Sequence, residues 1–151
     1  MMKRIKSETT KAEGITAEDY LRASLRAIKR ILQRPKYSNP ERDTEEHGIY
    51  DCLRGMPGVL KIILDLMEHE KKEPGAVGVT AEENLKLSVQ ILEAYMRNPE
   101  YANAKPGTEE YAFCECSGWM RAICKIAIEL IEAEKEGKEK ETEKEEVRED
   151  E

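Results

Sequence analysis

The chain has 151 residues, 38% of them charged and 39% hydrophobic, with few aromatic side chains and a formal net charge of −7. That length supports one ordinary domain, or two small halves that depend on one another for a core. The composition leaves no apolar run near the ~20 residues a bilayer-crossing helix needs, and suits helices carrying one apolar stripe each.

The first 13 residues read as a basic arm, opening Met1-Met2-Lys3-Arg4-Ile5-Lys6 without the apolar stretch of a secretion signal. The expectation is a cytoplasmic protein with no membrane association, whose four cysteines stay reduced.

From Gly14 the chain is written twice. Residues 14–73 align without a gap on residues 78–137, with 20 of 60 positions identical. Gly14-Ile15-Thr16-Ala17-Glu18 returns as Gly78-Val79-Thr80-Ala81-Glu82, and Pro35-Lys36-Tyr37-Ser38-Asn39 as Pro99-Glu100-Tyr101-Ala102-Asn103. Thr44-Glu45-Glu46, Cys52, Met56 and Glu70-Lys71 reappear as Thr108-Glu109-Glu110, Cys116, Met120 and Glu134-Lys135. The domain plan is therefore an arm (1–13), repeat 1 (14–73), a linker (74–78), repeat 2 (79–131) and a charged tail (132–151).

Within repeat 1, Thr16 caps a first helix from about Ala17 to Arg34, with Leu21, Leu25, Ile28 and Leu32 as its stripe. The matching third helix, capped by Thr80, runs from about Ala81 to Arg97 on Leu85, Val89, Leu92 and Met96. Leu87, Ile91 and Tyr95 widen its apolar arc, which predicts that it is the more buried of the two. Both helices stop at a proline, Pro35 or Pro99. About ten residues of connection follow, more than a helix-to-helix link requires. Thr44 and Thr108 cap the second and fourth helices, with acids in the first turns where the dipole favours them. Gly55-Met56-Pro57-Gly58 should kink or split the second helix. The fourth has Trp119 and Arg121 opposite Gly55 and Pro57, and should run straighter. Beyond Ile131 the chain is Glu-Lys alternation, with eleven acids against five bases from Glu132 onward. It is read as a fraying helix or a disordered segment.

The fold class that follows is all-α: four main helices, two helix-loop-helix repeats about a pseudo-twofold axis, with the second helix kinked. Two repeats are too few for an open solenoid to hide its core, so a closed bundle or a homodimer is expected.

Motifs with chemical content are sparse. Cys114, Cys116 and Cys124 with His47 or His69 lack the second close pair that structural zinc prefers, so no metal is expected. Neither histidine recurs in the other repeat, which argues against a cysteine nucleophile. Asp65-x-x-Glu68 and Glu129-x-x-Glu132 resemble one half of the paired-carboxylate magnesium site of all-helical nucleotide pyrophosphohydrolases, and the other half is missing. No phosphate-cradling glycine loop occurs, and no cofactor is expected.

Two sets of residues remain. Arg22, Arg26, Lys29 and Arg30 make the first helix basic, and Glu93 replaces Lys29 in the third; this ridge fits an acidic partner surface. The acidic total, and the lack of aromatics among those bases, argue for a protein partner over nucleic acid. Tyr37, Asn39, Tyr101 and Asn103 recur in the two Pro-x-Tyr-x-Asn loops. In one reading the tyrosines lid the core; in the other the loops form paired pockets for a small ligand or nucleotide. The leading expectation is a non-enzymatic interaction protein, of the kind common among phage and mobile-element products that block host machinery. A small-ligand binder and a magnesium-dependent hydrolase are the alternatives.

Overall fold

The computed structural model describes residues 14–75 and 78–149, all of whose regular structure is helical. The arm assigned to residues 1–13 and the middle of the linker lie outside the described residues. Helix α1 spans Ala17–Leu32, a single 3₁₀ turn covers Pro35–Tyr37, α2 is Glu45–Arg54 and α3 is Met56–Lys72. The second half has α4 (Ala81–Arg97), a one-turn α5 (Pro99–Ala102) and α6 (Glu109–Glu149).

All four expected threonine caps form. Thr16 Oγ1 accepts from the Asp19 N–H at 3.0 Å, and Thr80 Oγ1 from Glu83 at 3.1 Å. Thr44 and Thr108 each accept at 3.3 Å from the N–H three residues on, His47 and Tyr111. Each answers one of the unpaired donors that every helix start exposes. Pro35 and Pro99 do end the helices before them, and each opens a short turn of new helix, since proline suits the first helical position.

The second helix is divided as expected, into α2 and α3 bent 22° at Gly55. Proline at the second residue of α3 offers no N–H to continue the ladder from α2. By contrast α6 is one helix of 41 residues, about 60 Å at 1.5 Å per residue. The charged tail continues this helix as far as Glu149.

Helices α1 and α4 each pack against both α3 and α6, and α2 packs on the start of α6. Leu21, Ile28, Leu53, Leu60, Ile63, Leu85 and Met120 lie at the centre, each no more than 1% exposed. Where α2 meets α6 the backbones touch: a Cβ on Gly48 would stand 2.3 Å from the Glu109 carbonyl oxygen. Glycine is what lets the two helices approach so closely there.

Hydrogen bonds recur at the 64-residue spacing. Ala17 N–H donates to Glu134 at 2.8 Å, and Ala81 N–H donates to Glu70 at 2.7 Å. Ser24 and Ser88 donate to the Tyr20 and Asn84 carbonyls at 2.9 Å. Lys71 pairs with Glu18, and Lys135 with Glu82.

Helix α4 buries Ala81, Leu85, Val89 and Leu92, and α1 buries Ala17, Leu21 and Ile28. The wider apolar arc of α4 is not the reason: Leu87, Ile91 and Tyr95 are 53%, 55% and 44% exposed. Ala81, Leu85, Val89 and Leu92 fill its core-facing side. Periodicity could not separate these cases, since a wide apolar arc fits burial and an outward patch equally well.

Candidate binding cleft

A cleft of about 410 Å³ opens between the end of α1, the 3₁₀ turn, α2 and α6. Its deep wall is apolar: Tyr37, Leu53, Ala112 and Cys116 line it and are buried, with Ile31 and Ile49 half-buried beside them. Arg34, Glu45 and Glu115 form an exposed polar edge, and Trp119 stands at the mouth, 41% exposed. Tyr111 completes the lining, its hydroxyl pKa raised by a hydrogen bond to Glu115 and by neighbouring carboxylates.

Local rules place these groups. The cap at Thr44 starts α2 so that Ile49 and Leu53, one turn apart, share a face. Pro35 opens the 3₁₀ turn that delivers Tyr37 beneath them, 4% exposed. Tyr37 therefore both closes the core and lines the cleft, while Asn39 is exposed and lies outside the lining.

The corresponding place in the second half is occupied by the chain itself. Tyr95, Tyr101 and Phe113 stand where the first half has Ile31, Tyr37 and Ile49. Tyr101 stacks on Phe113 with ring centroids 4.9 Å apart, and Tyr95 meets it edge-on at 5.6 Å. Asn103 is exposed and caps the C-terminus of α5 through its backbone N–H. The repeat-1 loop thus borders an open cleft, and the repeat-2 loop carries a packed aromatic cluster.

Beside that aromatic cluster, His47 and Asp51 of α2 meet Glu109 of α6. His47 Nδ1 bonds to a Glu109 carboxylate oxygen and lies 3.3 Å from Asp51 Oδ2. Glu109 also accepts from the Asp43 N–H at 2.8 Å. Burial raises the Glu109 pKa, but His47, the Asp43 N–H and Arg42 outweigh it and leave the carboxyl below its ordinary range. One atom from each of the three side chains lies within 4.8 Å of the others, a nitrogen-and-oxygen set that could hold a divalent ion. This trio is not legible in the sequence because Glu109 comes from a helix 62 positions on from His47. Helix charge opposes a cation there: Glu109 opens α6, whose N-terminus is already positive. Arg54, 3.5 Å from Asp51, opposes it further. The arrangement is sufficient as a clamp between α2 and α6.

The remaining residues singled out from sequence are dispersed. Arg22 is engaged by Glu18 at 2.8 Å and Glu68 at 3.6 Å. Arg26, Lys29 and Arg30 are exposed and make no ion pair among the described residues. The two carboxylate pairs do not converge: Glu68 faces Arg22, Glu132 lies 3.9 Å from Lys86, and neither Asp65 nor Glu129 joins a metal-capable trio among the described residues.

The fold and cleft define an all-helical protein, and among the described residues no helix is long and apolar enough to cross a membrane. No protein-family model, curated protein or solved structure matches the chain.

Proposed function

We propose that this is a non-enzymatic interaction protein whose repeat-1 cleft receives an aromatic or large aliphatic side chain from a protein partner. The carrying observation is the difference between the halves. Where repeat 2 inserts its own Tyr95 and Phe113, repeat 1 has the smaller Ile31 and Ile49 and an open, apolar wall. An incoming aromatic group would gain the burial that Phe113 gains in its own half, which is how interface anchors contribute most of their affinity. Arg26, Arg30 and Arg34 follow one another at four-residue steps toward the cleft, so acidic residues flanking the anchor are favoured. In this reading the two repeats are a duplicated unit about a pseudo-twofold axis, with one copy specialised for binding and the other sealed. The reciprocal Ala17–Glu134 and Ala81–Glu70 bonds support that symmetry.

The test is to seal the cleft as the second half does, with Ile31→Tyr and Ile49→Phe. Peptides selected on the wild type from a displayed random library should carry an aromatic anchor beside acids. They should quench or shift the emission of Trp119, the single tryptophan. Binding should fall at least about tenfold on the sealed variant, or when Arg26 and Arg30 become Glu, with the melting curve unchanged. Peptides that bind the sealed variant equally well would sink the proposal.

The cleft volume also falls within the range of small-molecule sites, roughly 300–1,000 Å³. A small aromatic ligand is the second reading. A thermal-shift screen of metabolites and nucleotides addresses it, since a ligand stabilises by mass action.

A further inference from the structure

We propose that the outer face of α4 is a homodimer interface, packed antiparallel on the same helix of a second copy. Leu87, Ile91 and Tyr95 recur every four residues along this face and are 53%, 55% and 44% exposed. Between them lie Gln90 and Ala94, exposed and uncharged. Folding does not call for Leu87 and Ile91, because Ala81, Leu85, Val89 and Leu92 already fill the inward face, while Tyr95 meets Phe113 with one edge and leaves the rest of its ring exposed. An uncharged stripe several turns long on an otherwise highly charged surface marks a contact.

Charge selects the occupant. Glu82 is held by Lys135 at 2.6 Å, and Glu93 by Arg121 at 2.8 Å, both within the molecule. Glu83 in the first turn and Arg97 in the last make no ion pair among the described residues. They bracket the stripe at opposite ends, about 21 Å apart at 1.5 Å per residue. A second copy laid antiparallel, with the twofold passing between Gln90 and Ile91, sets each Glu83 opposite the partner's Asn98, one step of about 1.5 Å from the partner's Arg97 and within reach of its long side chain. The same operation sets Leu87 over Ala94, large against small, and Ile91 beside Gln90. A parallel arrangement would oppose Glu83 to Glu83 and Arg97 to Arg97. Because the matching positions of α1 are Ala23, Ala27 and Ile31, the contact exists once per chain, and a twofold pair closes without growing into a filament.

The experiment is light scattering on the full chain after size exclusion, over a range of concentrations, beside three variants. Wild type should read twice the 17.3 kDa chain mass at high concentration and fall toward one chain on dilution. Ile91→Glu, a change at an exposed site, should read as a monomer with unaltered helix content. Glu83→Arg should weaken the dimer about tenfold or more, and Glu83→Arg combined with Arg97→Glu in the same chain should restore it. A wild type that is monomeric at every concentration overturns the proposal. So does a dimer indifferent to Ile91→Glu, or a double variant that fails to recover.

Discussion

The backbone N–H of Ala17, the first residue of α1, donates at 2.8 Å to the carboxylate of Glu134, 117 positions later on α6. Its counterpart, Ala81 to Glu70 at 2.7 Å, runs the other way between the repeats. Each repeat thus satisfies a free donor at the start of the other's first helix, with an acid placed where the dipole favours one. Replacing Glu134 or Glu70 with Ala should each cost about 1 kcal/mol, measured by urea denaturation.

The same bond says where the bundle ends. Glu134 and Lys135 belong by composition to the charged tail, yet they hold Ala17 and Glu82. A chain ending at Glu141 should keep the full melting temperature. One ending at Ile131 should lose several degrees, because roughly 1 kcal/mol shifts a domain of this size by about 2–8 °C.

Gly48 offers a sharper contrast. Gly48→Ala would drive a methyl to 2.3 Å from the Glu109 carbonyl and 3.1 Å from the Ala112 side chain. Overpacking of that kind should destabilise by about 2–3 kcal/mol. Gly58 is exposed in α3 with nothing within 4 Å of a Cβ, so Gly58→Ala should stabilise by about 0.5–1 kcal/mol. Thermal melts of the two variants should move in opposite directions.

Stability should decline at both ends of the pH scale. The carboxyls of Glu18 and Glu82 are held below the usual 4.5 by Lys71 and Lys135 respectively, and Glu109 is also lowered, by His47 and the Asp43 N–H against the opposing effect of burial. Their contribution is complete above that value and is lost as pH falls through the folded-state pKa values. Lys71 and Lys135 are held above 10.5 by the same partners, so their contribution is lost as pH rises past it. The effect is shallow, because exposed ion pairs are screened. Urea midpoints across the pH range should show a plateau, and Glu18→Gln with Glu82→Gln should flatten its acid limb.

The thiols should react unequally. Burial pushes Cys124 up to about 11, and Cys116 is raised by its hydrogen bond with Cys52 and by burial. A thiol reagent at neutral pH should therefore modify Cys114, half-buried, well before Cys124. Reaction at Cys124 should rise sharply once urea unfolds the chain; equal rates in the folded protein would contradict its placement.

Much of the architecture was legible in the chain because it depends on near neighbours. Capping by Thr16, Thr44, Thr80 and Thr108 needs a partner three residues away, helix ends at Pro35 and Pro99 follow from a missing N–H, and Gly55-Met56-Pro57-Gly58 bends the helix that contains it. The repeat itself is a property of the sequence. What required the tertiary structure was every relation between residues far apart. The Glu134 and Glu70 tethers, the His47–Asp51–Glu109 clamp and the close approach at Gly48 each join distant segments. The same holds for the outward turn of Leu87, Ile91 and Tyr95, since periodicity shows that a stripe is apolar but not what covers it. The cleft was half legible: Tyr37 stood out as a repeated tyrosine, but its open space arises from Ile31 and Ile49 facing across two helices where the other repeat has Tyr95 and Phe113. Side-chain volume decides such a cavity, and volume acts only between groups that the fold has already brought together.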